Sequence, residues 1–172
     1  MNQTELVFLW VSAVAANVWA KRVCDRRSDF VRRSAPLYDI VHSRCSLWDH
    51  TLVDNAIFCQ AMLFLIQWWM GVVTTQQGMA VIGLQTKAFS LRALTLSLTD
   101  YPPPVVRESI WAGRDLMFSG HTLVLFSFAR CPVTYALAAT GAAVSTLSRE
   151  HYTSDVVVSV VVTELLKACA AC

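Results

Sequence analysis

Charge is scarce in this chain. Lysine, arginine, aspartate and glutamate make up 15% of its 172 residues, against about a quarter in soluble domains. The formal net charge is only +2, which argues against a nucleic-acid partner. No glycine-rich loop is present to cradle a nucleotide phosphate, and no His-x-x-x-His or acidic cluster suggests a metal. Six cysteines, at 24, 45, 59, 131, 169 and 172, lack zinc-finger spacing to any histidine. No cofactor is therefore expected. The closing Cys169-Ala-Ala-Cys172 reads as the small residues of a helix end, with lipidation as the alternative. No internal repeat or low-complexity stretch occurs. The head, Met-Asn-Gln-Thr-Glu, also lacks the basic start of a secretory signal. The apolar run behind it reads as a first span, with cleavage after Ala16 or Ala20 as the alternative.

What is abundant is apolar. Hydrophobic residues reach 55% and the mean hydropathy is +0.47, values that suggest several membrane spans within one domain over 1–172. An all-α, polytopic bundle of about six transmembrane helices is expected. The spans fall at Leu6–Ala20, Ala56–Val73, Met79–Leu98, Leu116–Ala129, Val133–Leu147 and Asp155–Ala168. Several are shorter than the roughly 20 residues a bilayer core requires. Gln60 and Gln67 share a face of the second. Gln76-Gln-Gly78 reads as a tight connection to the third, where Lys87 and Arg92 must pack inside or snorkel. Asp100-Tyr-Pro-Pro-Pro104 ends that span and Arg130-Cys-Pro132 ends the fourth. The fifth is rich in small residues, which lets helices approach closely in lipid. In the sixth, Glu164 is an unusual charge and marks the inner end. The polar, arginine-rich stretch 21–50 reads as solvated or headgroup-facing, its His42 and His50 included.

Two segments carry chemistry. One is Asp115-Leu-Met-Phe-Ser-Gly-His-Thr122, the other Glu150-His-Tyr-Thr-Ser-Asp155. Ionisable groups in a membrane are costly and usually functional. Two spans separate these segments, so both lie at the same membrane surface and His121 can meet His151. Two imidazoles and a carboxylate suit phosphoryl transfer. One histidine attacks phosphorus or takes a proton from the attacking hydroxyl, and the other protonates the leaving alkoxide. The i, i+4 spacing on a helix assigns Asp155 to His151, whose tautomer, orientation and cationic form it would favour. Ser119 and Gly120 offer a hydroxyl and a bare backbone N–H to phosphate oxygens near a helix N-terminus. Arg114 and Arg149 flank the motifs and could neutralise phosphate charge.

At these residues the sequence resembles the sphingomyelin synthase-related sphingolipid synthases, within the type 2 phosphatidic acid phosphatase superfamily. Gly113-Arg-Asp115-Leu-Met-Phe-Ser-Gly-His-Thr122 is similar to the family's third motif. His151-Tyr-Thr-Ser-Asp155 and the valines after it resemble the fourth, preceded by an acid, Glu150, as in some members. Pro36-Leu-Tyr-Asp39 and the stretch Arg92–Pro104 are looser counterparts of the upstream motifs. The resemblance spans about residues 6–168 in family order.

The resemblance implies a six-span transferase moving a phospho-head-group, phosphocholine first, from a glycerophospholipid to ceramide, with release of diacylglycerol. It places His121, His151 and Asp155 in the catalytic triad. Asp115, Ser119, Gly120, Arg149, Glu150 and Arg92 are the candidate substrate contacts. Its partners would be membrane lipids. Its site would face the lumenal or exoplasmic side of Golgi, endoplasmic reticulum or plasma membrane. The basic residues from Lys21 to Arg44 favour the opposite orientation by the positive-inside rule; the resemblance is preferred. Gly113-Arg114 departs from the family's Cys-Gly, which bears on donor choice. Two other activities stay open. One is inositol phosphorylceramide synthesis. The other is a lipid phosphate phosphatase, whose Arg-Pro and Ser-Arg-x5-His patterns are missing here. A non-enzymatic membrane protein is the third reading.

Overall fold

The computed structural model describes residues 2–27, 38–49, 51–99 and 118–171. Among these residues there are seven helices and no strand. They are α1 (Gln3–Arg27), α2 (Ile40–Arg44), α3 (Thr51–Trp69), α4 (Thr75–Leu98), α5 (Gly120–Phe128), α6 (Pro132–Leu147) and α7 (Thr153–Ala171). Apart from the short α2, they alternate in direction. Trp10 meets Gln85 and Asn17 meets Arg92, so α1 and α4 run parallel. Gln60 reaches Leu125 and Phe64 meets Phe128, so α3 runs with α5. Ser159 bonds Ser119 and Lys167 bonds Ala129, so α7 runs with α5 too. The C-terminal ends of α1, α4 and α6 therefore gather with the N-terminal ends of α3, α5 and α7. Counting crossings anticipates this arrangement.

The boundaries differ from the sequence expectation in instructive ways. Gln76-Gln-Gly78 is not a connection but the first turn of α4. Thr74 caps that helix, its hydroxyl accepting from the Gln77 N–H while the Gln77 side chain accepts from the Thr74 N–H. This reciprocal capping box satisfies two amides that a helix start leaves open. The turn itself falls at Gly71, whose φ of +72° suits a residue without Cβ. The first helix does not stop at Lys21 but continues to Arg27. The third ends at Leu98 with Thr99 as C-cap; the prolines after Asp100 lie outside the described residues. The fourth expected span is the nine-residue α5, about 14 Å long. Pro132 opens α6 as its first residue, where a missing N–H costs nothing.

Among the described residues, two helices are long and apolar enough to cross a membrane, Gln3–Val23 and Thr51–Trp69. The nineteen residues of α7 have the length, but include Asp155, Glu164 and Lys167. Burial follows an unusual pattern across the described helices. Large apolar side chains stand outward, among them Phe8, Trp19, Phe58, Leu65, Leu94, Val133, Val157 and Leu165. Inside are Asn17, Gln60, Gln85, Arg92, Ser127, Thr134, Ser159 and Thr163. Water-soluble domains rarely expose that much contiguous apolar surface; lipid around the bundle fits it. The interior polar groups are bonded between helices. Gln60 donates to the carbonyls of Leu125 and Thr134. Trp10 donates to Gln85, which donates to Ser127. At the end away from the histidines, Lys167 donates to Glu164, to the Tyr135 hydroxyl and to the Ala129 carbonyl. Glu164 thus has a partner on its own helix and accepts from Tyr135 as well.

Candidate active site

α5 is the axis of the site. Five of its nine residues are buried, Thr122, Leu123, Leu125, Phe126 and Ser127. Its start is fixed by Ser119, whose hydroxyl accepts from the Thr122 N–H at 3.2 Å. The Ser119 N–H donates to the Asp155 carbonyl and its own carbonyl accepts from Ser159. Ser119 is fully buried and its hydroxyl serves as the helix cap, so that hydroxyl is directed at the Thr122 N–H. His121 follows on the first turn, at the positive end of the helix.

The α6–α7 turn brings the second histidine. Arg149 has φ +56°, a left-handed backbone that is strained for a residue with a Cβ. That turn leads His151 back over α5. The His121 and His151 rings lie 5.9 Å apart, nearly edge to face. His151 and Asp155 are close, with Nδ1 3.9 Å from Oδ2, longer than a direct hydrogen bond. They do not share a helix face, as the i, i+4 spacing suggested, because α7 starts only at Thr153. The Asp155 carboxylate accepts from the Tyr152 N–H at 3.0 Å, so it closes the α7 N-terminus and faces His151 at once. His151 and Asp155 are each 5% exposed, which keeps the pair out of bulk water.

Carboxylates also flank His121. Its Nε2 is 3.5 Å from Asp54 and its Nδ1 is 3.8 Å from Glu150. Glu150 was expected near the site; Asp54, on the first turn of α3, was not. Arg92 is held on both sides, its Nε donating to the Phe118 carbonyl and one terminal nitrogen to Asn17 Oδ1. A Cβ at Gly120 would stand only 3.2 Å from the Arg92 guanidinium carbon, so glycine lets that cation approach the start of α5. Arg149 donates to the carbonyls of His42 and Cys45. Asp115, Arg114 and His50 lie outside the described residues.

His121 and His151 open onto a cavity of about 200 Å³. Val14, Val18, Ile57, Phe89 and Val124 form its apolar wall; Asn17, Lys21, Arg92 and Gly120 complete it beside the histidines. Lys21 is a correction to the sequence reading. It sits within α1, is 8% exposed and lines the cavity, where a solvated basic loop was expected. The signal was there in outline: Ala13, Asn17, Ala20 and Lys21 form one helical stripe, all buried.

The segment before α3 binds the α6–α7 turn rather than standing in solvent. Asp39 caps α2 and accepts from both the N–H and the hydroxyl of Thr153, at 2.7 and 3.0 Å. His42 Nε2 is 3.0 Å from the Thr146 carbonyl, and its ring lies on Tyr152. The Trp48 N–H donates to the Leu147 carbonyl. Burial raises the Asp39 pKa, but hydrogen bonds from Thr153, His42 and Val41 outweigh it and hold the carboxyl below the usual range.

Residues 114–171 match the family model described as PAP2 superfamily, C-terminal. A comparison with curated proteins found no match. The matched residues include Ser119, His121, His151 and Asp155. At the level of the superfamily, the match supports a relation to the type 2 phosphatidic acid phosphatases and fits lipid phosphatase or phosphotransferase chemistry in general.

Proposed function

We propose that the chain is a six-span membrane transferase that moves a phospho-head-group, phosphocholine first, from a glycerophospholipid to ceramide. The products are a phosphosphingolipid and diacylglycerol. The observation that carries this reading is the pair of imidazoles, 5.9 Å apart, at an apolar-walled cavity that also holds Lys21 and Arg92. Such a wall suits a lipid ester, and the two cations suit its phosphate. His151 acts at its ring nitrogen opposite Asp155. It either attacks phosphorus, forming a phosphohistidine, or takes the proton of the ceramide hydroxyl as that oxygen attacks. His121 gives a proton to the departing diacylglycerol oxygen. In the phosphohistidine route it then takes one back from ceramide, so protons balance over the cycle. Asp155 orients His151 through its place at the start of α7. The outward apolar surface supports a multi-pass membrane location, in Golgi, endoplasmic reticulum or plasma membrane.

The superfamily match equally fits hydrolysis, with water in place of ceramide. The test is expression in a host lacking sphingomyelin, supplied with labelled ceramide, with products identified by mass. Labelled phosphosphingolipid is expected from the native chain and none from His121→Ala or Asp155→Asn. Release of free head-group, or dephosphorylation of phosphatidic acid with ceramide untouched, would replace the transferase by the phosphatase. Phosphatidylinositol consumption would make the product inositol phosphorylceramide.

A further inference from the structure

Asn17 is a buried amide in the middle of an apolar helix, and the proposed chemistry has not used it. It is 6% exposed and lines the cavity beside Arg92 and His151. An amide is costly to bury unless its hydrogen bonds are made, and here they are. The Asn17 nitrogen donates to the carbonyls of Ala13 and Phe89, which uses both of its hydrogens. Its Oδ1 accepts from Arg92 Nη1 at 2.9 Å. A side chain committed in this way acts on a ligand through its neighbour.

That neighbour is a planar fork, whose direction matters as much as its charge. The Phe118 carbonyl accepts from Arg92 Nε and Asn17 accepts from Nη1. Two bonds in one plane fix the guanidinium, and its Nη2 comes to rest beside Gly120, 3.3 Å from where a Cβ would stand. The Phe118 anchor is main chain and belongs to the start of α5. The Asn17 anchor belongs to α1, which packs along α4. Trp10 also ties α1 to α4, through Gln85, but neither of those side chains lines the cavity.

We infer that Asn17 is a positioning residue: its Oδ1 holds the Arg92 guanidinium in the plane from which it meets the lipid phosphate, and so makes α1 part of the site. The inference rests on the phosphate contact of Arg92 proposed above.

A double-mutant cycle on the full chain in mixed micelles tests it. Initial rates of transfer from phosphatidylcholine to a short-chain ceramide are compared in wild type, Asn17→Leu, Arg92→Met and the double variant, with Trp10→Phe as control and a thermal melt of each. Arg92→Lys replaces Arg92→Met if the latter does not fold. Asn17→Leu is expected to raise the KM for the phospholipid by about tenfold, the worth of one hydrogen bond to a charged group, with the KM for ceramide unchanged. In the Arg92→Met background the same substitution is expected to add no more than about twofold, because residues acting as one unit are not additive. Trp10→Phe is expected to lower the melting temperature and leave both KM values alone. A further tenfold loss in the Arg92→Met background, or equal KM effects of Asn17→Leu and Trp10→Phe, overturns the inference and leaves Asn17 as a tie between helices. The same four proteins are also compared for thermal stabilisation by phosphatidic acid. Stabilisation that falls in Asn17→Leu, and falls no further from Arg92→Met to the double variant, supports the inference; stabilisation undiminished in Asn17→Leu overturns it. A chain that leaves ceramide untouched, yet gives the supporting pattern with phosphatidic acid, sinks the transferase alone.

Discussion

Asp155 has two tasks at one carboxylate. It accepts the Tyr152 N–H at 3.0 Å and lies 3.9 Å from His151. Asp155→Asn keeps the shape of the site but removes the charge. Transfer by this variant is expected to fall by about 100-fold or more with the fold retained, measured as initial rate beside a circular-dichroism melt. His121→Ala and His151→Ala are expected to lose at least as much, and the double variant little more than either alone, because the two rings act as one unit. Gly120 offers a second test. A Cβ there would press on a guanidinium that Phe118 and Asn17 hold in place. Gly120→Ala is expected to reduce transfer by about tenfold while costing about 1–3 kcal/mol of stability. Gly120→Ala activity equal to wild type would show that Arg92 has room to move. The motif histidines were legible in sequence because their residue types are rare beside apolar runs. The cap role of Ser119 was less so, since a serine before a helix looks the same whether its hydroxyl serves a backbone or a ligand.

The strap formed by residues 38–48 decides how rigidly the α6–α7 turn is held. Asp39 accepts two hydrogen bonds from Thr153, and His42 and Arg149 add contacts on either side. Its folded carboxyl titrates below the usual value, through hydrogen bonds that offset burial. A depressed carboxylate contributes stability above the unfolded pKa of about 3.9, and loses it as pH falls through the lower folded one. Amide exchange at Thr153 is therefore expected to quicken, relative to Thr122, as pH drops below about 4. Asp39→Asn should abolish that dependence. A Thr153 amide that behaves alike in both proteins would remove the strap from the account. At the far end, Thr74→Ala is expected to cost about 1 kcal/mol by loss of the capping box, read as a lowered melting temperature. That helix start was misread as a turn, because two glutamines and a glycine look like loop chemistry until Thr74 is seen to pair with Gln77. His42 was misread for a related reason. A histidine in an arginine-rich stretch looks solvated, and its partner lies 104 positions away.

At the scale of the whole molecule, many large apolar side chains of the described residues face out, while amides, hydroxyls and Arg92 lie inside beside an apolar core. Among the described residues, four exposed cysteines probe this arrangement, Cys45, Cys59, Cys131 and Cys169. Cys45 lies at the end with the histidines, Cys131 at the opposite end between α5 and α6. Hydrogen bonds with Thr134 lower the Cys131 thiol pKa, which increases its thiolate fraction at neutral pH. In single-cysteine variants in sealed vesicles, an impermeant maleimide is expected to label Cys45 and Cys131 from opposite faces. Cys59, midway along α3, should stay unlabelled until detergent is added. Labelling of Cys45 and Cys131 from one face would overturn the proposed six-span arrangement. The face on which Cys45 reacts fixes the side of the site.

The sequence by itself determined the helical class, the order of the apolar segments and the two histidine motifs. Each depends on local composition and spacing, which a chain displays without folding. Only the tertiary structure decided that Lys21 lines the cavity, that Asp54 and Glu150 flank His121, and that residues 38–48 bind the α6–α7 turn. These depend on contacts between segments far apart in the chain; the stripe of Ala13, Asn17, Ala20 and Lys21 marks a buried face but not what that face meets. Asp155 stands between the two cases. Its nearness to His151 was readable from four positions of spacing, but the reason for it was not. The pair meets at a helix start, closed by the same carboxylate, and not along a helix face.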